Sequence, residues 1–217
     1  MSKLQVICIG EALIDKIINK SDSNFKNYLG GAPANVACAL RKLNVPTAFI
    51  GCLGNDDFGK EFIKLFKKLE INIEFLQIAK QSSTRVVRVV RDTFGDRSFS
   101  GFESVGQNAF ADELLDKFSI IKNKNLRKQF LNTDYIVTGT NILASPKSSE
   151  FIFFILDYAK GFNIKFVIDV NWRDIFWDNF NTLKEEKFKK VKKFLNYSHI
   201  LKLASEEAKL ISCFVIS

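Results

Sequence analysis

Gly30-Gly31-Ala32-Pro33-Ala34-Asn35-Val36-Ala37-Cys38-Ala39-Leu40-Arg41-Lys42-Leu43 is the stretch on which the fold turns. Two glycines allow a sharp change of backbone direction, and Pro33 suits a first helical turn, where its missing N–H is no loss. The spacing predicts a helix from Pro33 through Leu43 with Val36, Leu40 and Leu43 on one face. Upstream, Leu4 to Ile9 is an apolar, partly β-branched run ending at Gly10, and downstream Thr47 to Leu53 is another. Such runs read as strands buried on both faces.

The alternation continues outward. Lys60 to Leu69 is a predicted helix with Phe62, Phe66 and Leu69 inward. Tyr135 to Thr138, Lys165 to Val170 and His199 to Leu203 read as strands. Lys147 to Lys160, carrying Phe151, Phe154, Ile155 and Tyr158, and the lysine-rich Glu185 to Asn196 read as helices. Ser205 can cap a last helix whose first turn holds Glu206 and Glu207. Two segments have another texture. Ala12 to Asn19 is β-like and is followed by polar Ser21 to Asn24. Thr84 to Arg91 alternates arginines with valines, Phe94-Gly95-Asp96 makes a turn, and Arg97 to Phe102 returns as a hairpin. The expected architecture is one α/β domain over 1–217. Its mainly parallel sheet is covered on both faces, and segments of about 12–29 and 84–103 leave it together as a small, antiparallel β-lid. Ligands of such sheets bind beyond the carboxyl ends of the strands. The weight therefore falls on Glu11, Gly54 to Asp57, Gly139 to Asn141, Asn171 to Arg173, and Ser205.

Composition narrows the class. With 47% hydrophobic and 26% charged residues, the 217-residue chain can build a core, which excludes wholesale disorder. The net charge of +8 suits phosphate-bearing small molecules as well as nucleic acid or a membrane surface. Much of the excess sits between Lys184 and Lys193, where Phe188, Val191 and Leu195 recur at helical spacing, so it reads as a solvated amphipathic helix and no nucleic-acid partner is expected. Cys8, Cys38, Cys52 and Cys213 form no CxxC pair and read as reduced thiols of a reducing compartment. The N-terminal apolar run stops at Glu11, too short for a signal segment, and no run approaches the ~20 residues of a spanning helix. A soluble, cytoplasmic protein without a membrane partner is expected.

Four places can carry chemistry. Gly30 and Gly31 before a helix let backbone approach a ligand, and Asn35 in the first turn can bond a sugar hydroxyl; the plainer reading is a turn. Gly54-Asn55-Asp56-Asp57-Phe58-Gly59-Lys60-Glu61 nearly matches GxxxxGK[ST]. Glu61 replaces the required hydroxyl, however, and Asp56 and Asp57 would repel phosphate. Asp169-Val170-Asn171-Trp172-Arg173, with Trp177 beyond, offers an arginine fork and an amide for phosphate, against a capping Asp and a surface Arg. The fourth is Lys202 with Glu206 and Glu207, where a carboxylate at the strand's end could hold Mg²⁺ through water, although first-turn glutamates are ordinary. The lone His199 reads as a core or edge residue.

Together these residues resemble the ribokinase-like, or PfkB, carbohydrate kinases, above all the fructokinase-like branch. Tyr28 to Leu43 is similar to that family's first signature, and Phe49 to Gly59 continues it. Asp169 to Arg173 with Trp177 is similar to its D-x-N-x-R motif, and Lys202 to Glu207 to the stretch after the next strand. The resemblance implies a ribokinase-like three-layer α/β/α fold and ATP-dependent phosphorylation of a sugar hydroxyl, with Mg²⁺. It implies that Asp15, Gly30, Gly31 and Asn35 bind the sugar while Arg97 and Phe99 close over it from the lid. Asn171 and Arg173 would approach the transferring phosphate, Lys202 would lie near the nucleotide, and Glu207 would help organise the metal indirectly.

The chain also departs from the family. Ala204 stands where Asn or Ser is frequent. The family's Gly-Ala-Gly-Asp element, whose Asp is the general base, appears nowhere in the 217 residues. The base is thus expected beyond Ser217, with the C-terminal part of the fold missing and this chain impaired. The competing expectation is a noncatalytic sugar-binding or regulatory protein on the same fold. A homodimer paired through the lid is compatible with either. Fructose is the branch's implied sugar, with ribose, 2-keto-3-deoxygluconate and nucleosides left open.

Overall fold

The structure, a computed structural model, describes residues 5–19, 24–91, 97–103, 109–177 and 184–215. The first strand, β1 (Val6–Ile9), is fully buried. The chain then leaves through β2 (Leu13–Asn19) and β3 (Phe25–Gly30) and enters α1 (Ala32–Lys42). It returns in β4 (Thr47–Ile50), beside β1. Next come β5 (Cys52–Gly54), α2 (Asp57–Lys68) and β6 (Gln77–Ala79), and then β7 (Val86–Arg91) and β8 (Arg97–Phe102). Two short helices, α3 (Lys117–Ile121) and α4 (Leu126–Leu131), lead to β9 (Tyr135–Gly139), α5 (Pro146–Ala159) and β10 (Lys165–Asp169). The last elements are α6 (Asp174–Trp177), α7 (Lys184–Leu195), β11 (Ile200–Lys202) and α8 (Ser205–Val215).

The central sheet has the order β11-β10-β9-β1-β4 and every pairing in it is parallel. Alternate residues of β1 go to opposite faces, as a pleat requires. Ile7 and Ile9 pack with Phe151, Ile152 and Ile155 of α5. Val6 and Cys8 pack with Ala34 and Ala37 of α1 and with Phe62 and Phe66 of α2. Helices on both faces make the three layers. The chain turns from β1 to one side and takes up β9 on the other, so a crevice opens between the carboxyl ends of these two strands.

A second sheet, β3-β2-β7-β8, stands over that end. Its strands fall within the two segments expected to leave the main sheet. The pairings β2–β3 and β7–β8 are antiparallel, but β2 and β7 run parallel, so the second sheet is mixed and not purely antiparallel. The expected turn at Phe94-Gly95-Asp96, most of Ser21 to Asn24 and the residue Leu4 lie outside the described residues.

Several local expectations change. The run from Thr47 to Leu53 is two strands, because Gly51 passes so near the Phe49 ring and the Gly10 carbonyl that a Cβ would collide with both. Helix α1 presents its small residues Ala34 and Ala37 to the sheet, while Leu43, at its end, is 73% exposed. In α7, Val191 and Phe194 are buried. Its lysines are not all in solvent, since Lys187 Nζ donates to the Trp177 carbonyl at 2.9 Å and Lys190 Nζ to that of Leu143 at 3.3 Å. Ser205 begins α8 rather than preceding it. His199 is exposed, and its Nδ1 accepts from Phe166 N at 3.1 Å, so it is an edge residue. Cys8 and Cys52 are buried free thiols, and burial pushes Cys52 up to about 12, which leaves it inert at neutral pH. The side chain of Cys213 is outside the described ones.

Candidate active site

The crevice holds an open pocket of about 230 Å³. That is below the ~300–1,000 Å³ of sites for drug-sized ligands, which suits a small one. Each wall comes from a different element. Glu11 follows β1, Asp15 and Ile17 lie on β2, and Gly31, Ala32 and Asn35 form the start of α1. Val87 and Val89 come from β7 and Phe99 from β8. Asn141 follows β9, and Asn171 and Arg173 follow β10. The pocket is thus apolar on the second-sheet side apart from Asp15, with the other polar groups converging from the central strand ends and the start of α1.

Six residues expected at the site line this one pocket: Asp15, Gly31, Asn35, Phe99, Asn171 and Arg173. Gly30 stands behind it. A Cβ there would run into the Asp15 carboxylate, so the glycine lets that side chain sit against the backbone. Gly31 has φ +96°, and a Cβ on it would collide with the Glu11 carbonyl. Only glycine fits both demands. Asn171 is held at φ +39°, a left-handed conformation costly for most side chains. Strain of this kind gathers at functional sites. The Arg173 guanidinium lies 5.3 Å from the centroid of Phe99 and bridges β10 to the second sheet.

Arg97 lies in β8, with its side chain outside the described ones. Lys202 does not line the pocket. Its ammonium is 2.7 Å from Asp169 Oδ2 and exposed. Glu207 is committed elsewhere: its Oε1 accepts from Trp172 N at 2.8 Å and its Oε2 from Ala204 N at 2.8 Å. It therefore ties the loop after β10 to the start of α8, in the manner of a capping-box glutamate. Among the described residues no group of three acidic, histidine or cysteine side chains could hold a metal ion. Trp177 is buried and stacks on Trp172 at 4.7 Å, a packing role.

The near-P-loop is a structural tie. Asp56 caps α2 by accepting from Gly59 N at 2.8 Å, and it also accepts from Thr84 N at 2.6 Å and Thr84 Oγ1 at 2.8 Å. The carboxylate thus takes up the Gly59 amide and the Thr84 donors, and its charge would repel a phosphate there. Gly54 and Gly59 are small because the loop closes on this carboxylate and on itself.

Sequence reasoning left two features out of the site set. Glu11 and Asn141 were marked only as strand-end residues, yet Asn141 Nδ2 donates to Glu11 Oε1 at 3.2 Å on the pocket floor. Burial pushes the Glu11 carboxyl up to about 7. Asp112 adds to that push, while the Asn141 amide and the nearby backbone N–H groups of Glu11 and Ala32 resist it. Behind it Arg85, 3% exposed, pairs with Asp112 at 2.9 Å and Glu113 at 2.6 Å, among the rings of Phe102, Phe110 and Phe176. Position after β1 and β9 was the available signal for Glu11 and Asn141. Nothing local marks Arg85 as different from Arg88 or Arg91.

Comparison with known proteins fits this geometry. The family described as pfkB family carbohydrate kinase matches residues 3–213. The chain belongs to that family. It is 29% identical over 213 residues to a probable fructokinase-5 of Arabidopsis thaliana, covering 95% of this chain and 62% of the relative. It is 29% identical over 187 residues to a 5-dehydro-2-deoxygluconokinase of Clostridium botulinum, covering 82% and 52%. Among solved structures, a Xylella fastidiosa fructokinase with bound ATP superposes with a TM-score of 0.84 at 26% identity, covering 99% of this chain and 62% of that one. The chain thus spans between half and two-thirds of the length of these relatives.

Proposed function

We propose that the chain supplies the sugar-binding side of an ATP-dependent sugar kinase, which transfers the γ-phosphoryl group to a sugar hydroxyl. The observation that carries this reading is the convergence of Asp15, Gly31 and Asn35 with Asn171 and Arg173 on one small pocket at the ends of parallel strands. Asp15 accepts from sugar hydroxyls, and Asn35 orients the ring. Asn171 and Arg173 face the phosphate end, where a guanidinium suits developing negative charge. The second sheet serves as a lid that limits water around the reacting groups. Fructose is the first candidate, after the fructokinase relatives. A paired lid between two copies, and a cytoplasmic location, belong to the same reading. No helix among the described residues is long and apolar enough to cross a membrane.

Mg²⁺ would neutralise phosphate charge when bound with ATP, and Glu207, whose carboxylate holds the two phosphate-side loops, would act on it indirectly. The 217 residues contain no Gly-Ala-Gly-Asp element. By this reading these residues alone bind sugar but transfer phosphate slowly or not at all. A coupled assay of the 217-residue chain with fructose, ribose and ATP tests this. Turnover at ordinary kinase rates, 1–100 per second in order of magnitude, would refute the expected defect.

A further inference from the structure

The binding roles proposed above leave the pocket floor unused. Glu11 and Asn141 line both the open pocket and a smaller cavity of about 10 Å³ beside it, so they stand between the two. They are 5% and 6% exposed. Asn141 Nδ2 satisfies Glu11 Oε1, but Glu11 Oε2 and Asn141 Oδ1 are buried without a hydrogen-bond partner. Each orphaned oxygen carries a desolvation cost that a correctly placed hydroxyl would remove.

We propose, on the basis of the sugar-pocket reading, that Glu11 in its neutral acid form, held by Asn141, is a further substrate-binding residue that donates to a hydroxyl of an uncharged polyol. A hydroxyl can satisfy an orphan of either kind: its oxygen accepts from Oε2–H, and a hydroxyl proton can go to Asn141 Oδ1.

The surrounding charges favour the neutral form. Behind the floor, Asp112 and Glu113 set two carboxylates against the single Arg85. Across the open pocket stand Asp15 and Arg173, and the start of α1 at Ala32 lies beside the carboxyl. An ionised Glu11 would add a third negative charge next to Asp112 and Glu113, and burial and Asp112 together raise its pKa. Asp15 on the wall accepts while Glu11 on the floor donates, an arrangement matched to a hydroxylated ligand.

Calorimetry of the 217-residue chain with D-fructose at pH 6 and pH 8 tests the proposal, on the wild type, Glu11→Gln and Glu11→Leu. Wild-type affinity is expected to fall about tenfold from pH 6 to pH 8 as the acid ionises. Glu11→Gln keeps a donor that cannot ionise, so it should bind within about threefold of the wild type at pH 6 and lose the pH dependence. Glu11→Leu should bind about tenfold more weakly at pH 6. If the leucine variant does not fold, the pH profile of Glu11→Gln decides alone. A wild type that binds fructose, with the same pH profile in Glu11→Gln, overturns the role of Glu11 and leaves the sugar pocket standing. A wild type that binds no fructose at either pH removes the fructose-pocket reading and this proposal with it.

Discussion

Gly30 and Gly31 are neighbours with different duties, which a reading by residue type alone does not separate. Gly30 makes room for the Asp15 carboxylate, whereas Gly31 turns the chain at φ +96° where a Cβ would strike the Glu11 carbonyl. Gly31→Ala should therefore destabilise the fold by about 1–3 kcal/mol, seen as a lowered midpoint in urea. Glu11 gives a second residue-scale expectation. Its folded pKa of about 7 lies above the ordinary glutamate value of 4.5. The folded state thus holds the proton more tightly, and the stability this contributes is full at low pH and is lost as pH rises from about 4.5 through 7. Glu11→Gln should remove that loss and gain on the wild type by up to about 3 kcal/mol at pH 8 relative to pH 4. Unfolding curves at the two pH values check it. Gly31 and Asn35 were legible through the Tyr28 to Leu43 motif, and Asp15 through the family resemblance alone. The sequence did not show the Glu11–Asn141 contact, because their partnership spans 130 positions and exists only once β1 and β9 are adjacent.

At the scale of elements, the loop from Gly54 to Glu61 shows how one carboxylate can settle a motif's meaning. Asp56 caps α2 and also holds Thr84, just before β7, so the position of the second sheet is tied to the helix it stands beside. Asp56→Ala should cost about 1–2 kcal/mol for the cap, more if the Thr84 groups are left buried without partners. Chemical unfolding measures the loss, and sugar affinity should fall with it as the second sheet loosens. The strands of the central sheet were legible because they are short apolar runs buried on both faces. Strand β3 was not, because Phe25 to Tyr28 are all exposed and lack an alternating pattern; its pairing with β2 makes it a strand. The parallel pairing of β2 and β7 was equally hidden, since register between distant segments leaves no local trace. Helix α1 was legible, and Val36 and Leu40 pack against the core beside the more deeply buried Ala34 and Ala37; only Leu43, at its end, is exposed.

For the whole molecule, the three layers matter chiefly because they bring the ends of β1, β9 and β10 to one crevice and stand a mixed sheet over it. The alternation of strands and helices was enough to place that crevice. The pocket's contents needed the fold as well, since its lining comes from residues between Glu11 and Phe176. The same alternation accounts for the structural likeness to a fructokinase at only 26% identity. The central claim is that this crevice binds a sugar through Asp15. Isothermal titration of the 217-residue chain with D-fructose, in parallel with Asp15→Asn, tests it most directly. The account predicts saturable one-to-one binding by the wild type and affinity at least about tenfold weaker in the variant, with both proteins folded. Equal affinity in the two proteins, or a folded wild type that releases no heat and shows no binding, would contradict it.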